Sequence, residues 1–139
     1  MQVRVEYKGG VRFEAEARGH RVVCDQPPSN GGEDAGMTPP EFLLVSLGTC
    51  AGFYAAQYLR TRGLPADNLE VLVSAEKATA PARLDRFEIT VKLGPLEPRH
   101  VDGVTRAVRS CLIHKTLEHS PEVGLCVEAG EPCRKPAAA

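Results

Sequence analysis

The sequence predicts an α+β fold of antiparallel strands and long helices, on three observations. Residues 1–25 and 69–95 alternate apolar and polar side chains with a period of two and turn back on themselves at Gly or Pro, as half-buried strands do. Residues 38–62 carry a single long helix without a charge between Glu41 and Arg60. Residues 98–118 return to helical spacing.

In the first stretch Val3, Val5 and Tyr7 face one way, and Gly9 and Gly10 turn the chain into Val11, Phe13, Ala15 and Ala17. A second turn at Arg18 to Arg21 leads into Val22, Val23 and Cys24. Two consecutive hairpins make a three-stranded sheet within 1–25. Residues 26–37, rich in Pro, Gly and Asn, read as a loop, either a surface connector or a lid over a site.

The helix over 38–62 announces both its ends. Thr38 is a good N-cap, Pro39 suits the first helical position, and Glu41 completes a Thr-x-x-Glu capping box. Arg60 and Arg62 meet the negative end of the helix dipole, Gly63 caps it and Pro65 stops it. A helix this apolar is either a membrane span or the buried axle of a soluble fold. Ser46, Gly48, Thr49, Gly52 and Gln57 dilute it and nothing else in the chain looks membranous, so the expectation is an axle. Cys50, at its centre, shares a helical face with Leu43, Leu47 and Tyr54, while Gly48 and Gly52 leave a strip where another backbone can come close. Spacing alone leaves Cys50 open as an inert packing residue or a reactive thiol.

A hairpin follows over 69–95, with Val71, Val73 and Ala75 on one strand, a turn at Pro81 to Arg83, and Phe87, Ile89, Val91 and Leu93 on the return. In the second helical segment, 98–118, Val101, Val104, Val108, Cys111 and Leu112 form one apolar stripe, with a bend expected around Cys111. A last strand is expected over 121–128, including Cys126, before a tail over 129–139 that holds Cys133.

Composition narrows the functional classes. A chain of 139 residues makes one domain. A net charge of −1 with both signs scattered points away from nucleic acid and from acidic membrane surfaces. The opening Met1 to Tyr7 has no apolar signal region, so a cytoplasmic location is expected. Five cysteines at these spacings fit neither a secreted disulfide framework nor a paired zinc site; free thiols are the expectation.

The element order, the run from Gly36 through Thr38, Pro39 and Glu41 to Cys50, and the segment Cys111 to Leu117 together resemble the OsmC/Ohr family of osmotically inducible and organic-hydroperoxide-resistance proteins. The resemblance covers residues 1 to about 128. It implies an intertwined α+β homodimer, antiparallel sheets wrapped around long central helices. It implies a thiol peroxidase without cofactor or metal, which reduces organic hydroperoxides and is reset by an external dithiol. Cys50 matches the family's peroxidatic cysteine and Cys111 its resolving cysteine. The chemistry suits these residue types. A thiolate attacks the distal peroxide oxygen to give a sulfenic acid, which a second thiol converts to a disulfide. Leu43, Leu47 and Phe53 are expected to form the apolar wall that selects organic peroxides.

Two departures from the family pattern matter. Where the studied peroxidases carry a Glu ten residues before the cysteine, this chain has Pro40, and Glu41 falls on the opposite face from Cys50. Leu112 stands where many relatives have Pro. No activating Arg can be named; Arg18 and Arg21 are candidates from the first sheet, and His114 or Lys115 could supply positive charge instead. The competing readings are a non-enzymatic protein that binds an apolar small molecule at the dimer interface, and a metal site built on Cys111 and His114.

Overall fold

The structure, a computed structural model, describes residues 1–130. Strands β1 (Arg4–Tyr7), β2 (Phe13–Ala17) and β3 (His20–Cys24) form an antiparallel sheet in that order. Ala17 pairs with His20, so Arg18 and Gly19 alone make the turn, both at positive φ (53° and 81°). Such a two-residue hairpin requires that backbone. The following loop is pinned from inside. Asp25, 2 % exposed, accepts hydrogen bonds at Oδ2 from the amides of Glu33 (3.1 Å) and Ala35 (3.0 Å). The chain thereby returns to place Met37 beside Cys24.

Helix α1 (Pro39–Arg60) starts where the capping signals put it: the Thr38 amide donates to the Glu41 carboxylate at 2.7 Å. Strands β4 (Glu70–Thr79) and β5 (Ala82–Lys92) form the long hairpin. Its turn is Ala80 and Pro81, with Ala82 and Arg83 already paired in β5, one residue earlier than the Pro81 to Arg83 turn expected. Helices α2 (Pro98–Arg109) and α3 (Leu112–Glu118) come next, with Ser110 and Cys111 as the break between them.

The core forms where α1, α2 and the β4–β5 sheet meet. Ala51, Ala55 and Leu59 pack on Val104 and Val108, with Val71, Ile89 and Val91 beside them. The expected glycine strip is used by β4: a Cβ at Gly48 would lie 3.0 Å from a Val73 methyl, and one at Gly52 3.5 Å from a Val71 methyl. Gly103 does the same for α2, since any side chain there would overlap the Tyr58 ring.

Two expectations need correcting and a third is met only on one side. Within one chain the axle is covered on one face: Leu47, Ala51, Ala55 and Leu59 of α1 are buried, while Val45 and Phe53 are 42 % and 61 % exposed. The physical reason is reach. α2, β4 and β5 cover one side, and apart from isolated contacts the β1–β3 sheet packs on none of the helices of its own chain. By length and hydropathy α1 would pass as a membrane span, but its covered side is the core of a packed α+β unit. Residues 121–128 form no strand, and Val123, Leu125 and Val127 stand exposed; their alternation finds no strand edge within the described chain. The α2 stripe is also interrupted: Val104, Val108 and Cys111 are buried, whereas Val101 and Leu112 are exposed, and the break at Ser110 re-aims the chain beyond it.

Candidate active site at the start of α3

Cys50 and Cys111, sixty-one positions apart, come together where α3 begins against the middle of α1. α1 carries Cys50 one turn beyond the fully buried Leu47. The chain leaves α2 at Ser110, and Cys111 becomes the N-cap of α3 with an extended backbone (φ −58°, ψ 132°). Cys111 is completely buried, Cys50 only partly. The two thiols lie within hydrogen-bond reach of one another.

Their surroundings separate the two sulfurs chemically. Burial alone pushes the Cys50 thiol up, but the Cys111 thiol and the amides of Ile113 and Leu112 donate to its sulfur and hold it, on balance, below the ordinary thiol value. These amides are the orphan donors of a helix start, which favour an anion. Cys111 moves the other way. Burial and the bond to Cys50 raise it, against smaller opposing contributions from the amides of His114 and Ile113. Cys50 is thereby the more acidic of the two thiols, a difference that two-thiol redox chemistry requires.

Among the described residues no cation is one of the groups that lower Cys50. Arg21 is engaged with Glu16 (3.0 Å) and Glu14 (3.8 Å) on β2, and Arg18 lies in the β2–β3 turn of the sheet that stands off the helices. Glu41 is a helix cap: its carboxylate takes both the amide and the hydroxyl of Thr38 at 2.7 Å, which lowers it from the usual carboxylate range. Lys115 pairs with Glu118 at 2.6 Å. His114 places Nε2 3.0 Å from Glu118 Oε1, while Cys111 turns to Cys50. The Cys111 and His114 pair therefore points in two directions, and among the described residues no three metal-binding side chains cluster.

A cavity of about 230 Å³ is lined by Leu47, one turn before Cys50 on α1, by Phe87 and Ile89 of β5, and by His114, Leu117 and Glu118 of α3. A larger groove of about 380 Å³ runs between β5 and α2 and shares Phe87, Ile89 and His114 with it. Of the apolar wall expected from sequence, Leu47 is there, whereas Phe53 faces away among Ala56, Gln57 and Arg60. Sequence reasoning missed the α3 amides and the β5 contribution. The alternation of Phe87 and Ile89 identified a strand but not what it faced, and backbone donors have no residue signature beyond the break that frees them.

Cys24 is half-buried at the end of β3, its thiol pushed up by burial and by Asp25. Cys126, expected as a free thiol, is disulfide-bonded; Cys133 lies outside the described residues.

The fold is thus an α+β architecture in which an antiparallel hairpin and two short helices bring a second cysteine onto the middle of a long central helix. The chain belongs to the OsmC-like family, whose model, described as OsmC-like protein, matches residues 31–125. Its fold is similar to a Psychrobacter arcticus protein assigned to the osmotic stress induced and detoxification response (19 % identity, TM-score 0.76, covering 84 % of this chain and 87 % of that one). It is similar to an OsmC-like protein of Mycoplasma pneumoniae (16 %, 0.74, 86 % and 87 %). The organic hydroperoxide resistance protein OhrB of Bacillus subtilis also shares the fold (16 %, 0.58, 86 % and 93 %). No protein of curated function matches the sequence.

Proposed function

We propose that the protein is a thiol-dependent peroxidase that reduces organic hydroperoxides with Cys50 as the attacking thiolate and Cys111 as the resolving thiol. The observation that carries this reading is the split between two adjoining sulfurs, with Cys50 lowered by the Cys111 thiol and the α3 amides while Cys111 is raised. Cys50 sulfur takes the distal peroxide oxygen and becomes a sulfenic acid, releasing the alcohol; the Cys111 thiol then displaces water to form the disulfide. An external dithiol reduces that disulfide by exchange, and we place the cycle in the cytoplasm, where such reductants are kept reduced.

The working form is a homodimer in this reading. Its support is the amount of apolar surface one chain leaves uncovered: Val45 and Phe53 on α1, and Val5, Tyr7 and Val22 on a sheet with no helix of its own to pack on. Exposed apolar surface on both the helix and the sheet marks an association site, and an intertwined pair would cover both.

The test is turnover of tert-butyl hydroperoxide by purified protein with dithiothreitol. Cys50→Ser should abolish it, and the dimer should appear at twice the chain mass in sedimentation. Turnover undiminished in Cys50→Ser removes the proposal.

A further inference from the structure

The peroxidase step needs one thing that the two cysteines do not supply. When a thiolate cleaves the O–O bond, the departing alkoxide is a strong base and must be protonated as it leaves. We infer that His114 is a catalytic residue that carries out this protonation, with Glu118 holding its ring. This rests on the peroxidase reading above and adds a role to it.

Placement is the first argument. The amides of Leu112 and Ile113 touch the Cys50 sulfur, and His114 is the next residue on the same helix turn. Among the described residues its ring is the one imidazole lining the cavity whose α1 wall is Leu47, one turn before Cys50, and it also lines the adjoining groove. A hydroperoxide whose alkyl group lies against Leu47, Phe87 and Ile89 shares that cavity with the His114 ring. Of the described residues that wall this cavity, Leu47, Phe87, Ile89 and Leu117 have no proton to give.

Chemistry is the second. Lys115 first and His114 second hold the Glu118 carboxyl below its usual range, so it is an ionised acceptor. An acceptor-only carboxylate 3.0 Å away fixes the hydrogen on Nε2 and leaves Nδ1 to exchange a proton. Of the charged side chains near it among the described residues, Glu118 and Lys115 lie on its own helix and Arg109 of α2 lines the same groove; β5 and α1 contribute Phe87, Ile89 and Leu47 to the cavity wall. The step then balances. The Cys50 thiolate takes the distal hydroxyl of R–O–OH to become S–OH, the protonated ring gives its Nδ1 proton to RO⁻ as ROH, and Nδ1 recovers a proton from water. Histidine is suited to this because its ordinary pKa lies near working pH. Lys115, half-exposed and bound to Glu118, lines neither cavity.

The experiment is single-turnover oxidation of Cys50 by a series of peroxides of falling leaving-group basicity, from tert-butyl hydroperoxide to peracetic acid. Losing a general acid should slow His114→Asn about 100-fold with the alkyl hydroperoxide, while peracetic acid, whose carboxylate needs no proton, should stay within about threefold. Iodoacetamide alkylation of Cys50, which releases no oxygen base, should be unchanged. Equal loss across the series, or no loss, overturns the role of His114. If His114→Asn does not fold, Glu118→Gln keeps the ring and should show the same dependence on leaving group with a smaller amplitude; a flat series there also overturns it. A wild-type protein that no peroxide in the series oxidises fails the underlying peroxidase reading instead, so the two failures are distinct.

Discussion

Gly48 and Gly52 bracket Cys50 on α1, and the spacing between α1 and β4 that they allow can be tested by adding one carbon at each. In a helix interior Gly→Ala gains about 1 kcal/mol of helix propensity. At Gly52 the new methyl would sit 3.5 Å from Val71 Cγ2, an ordinary contact, so the gain should survive. At Gly48 it would sit 3.0 Å from Val73 Cγ2. β4 is held there by its pairing with β5 through Val73 and Ile89, and forcing it to yield costs about 1–3 kcal/mol. The two variants should therefore diverge: Gly52→Ala stabilises by up to about 1 kcal/mol, while Gly48→Ala ranges from neutral to about 2 kcal/mol destabilising. For a chain of this size each kcal/mol moves the melting temperature by about 3–5 °C. Calorimetry at fixed protein concentration, with denaturant titration as a second probe, reads the difference. Equal stabilisation by both alanines would mean that β4 does not lie this close to the Cys50 turn, and that α1 presents its thiol in some other way.

Cys111→Ala removes the thiol that donates to Cys50, so Cys50 should be alkylated more slowly at pH 7 than in wild type, and peroxide should leave a sulfenic acid that dimedone traps instead of a disulfide. Glu41→Gln should lower the melting temperature without changing the alkylation rate of Cys50; a change in that rate would make Glu41 more than a cap. Asp25 is held below the ordinary carboxyl value chiefly by the Ala35 amide and also by those of Gln26 and Glu33. Its contribution is therefore fully present above the unfolded-state value of about 3.9 and is lost as pH falls through the lower folded value. Asp25→Asn should be less stable than wild type at pH 7 in urea titrations, with the gap narrowing below about pH 4.

How much was legible depended on range. The start of α1 could be read because Thr38, Pro39 and Glu41 act on one another within a single turn, and the β4–β5 hairpin because its alternation is local. The meeting of Cys50 with Cys111 could not be computed from spacing, since it depends on how α3 leaves α2; only the resemblance paired them. The bend near Cys111 was readable, but not that it aims two amides at a sulfur. The overestimates share one cause. An α1 with no charge between Glu41 and Arg60 and the alternating Val123, Leu125 and Val127 both say that apolar surface will be covered, and a sequence does not say by what.

The roster of the core opens at Ala51 and closes at Leu96 and Val108, and no residue of β1, β2 or β3 is in it. A ribosome makes β1, β2 and β3 before it makes α1, β4, β5 and α2. Even a finished single copy gives Val5, Tyr7 and Val22 no home on its own helices. Left bare, those strands are an adhesive edge, open to any passing strand; if copies pair as proposed, the speed with which they find each other should set the yield of usable protein.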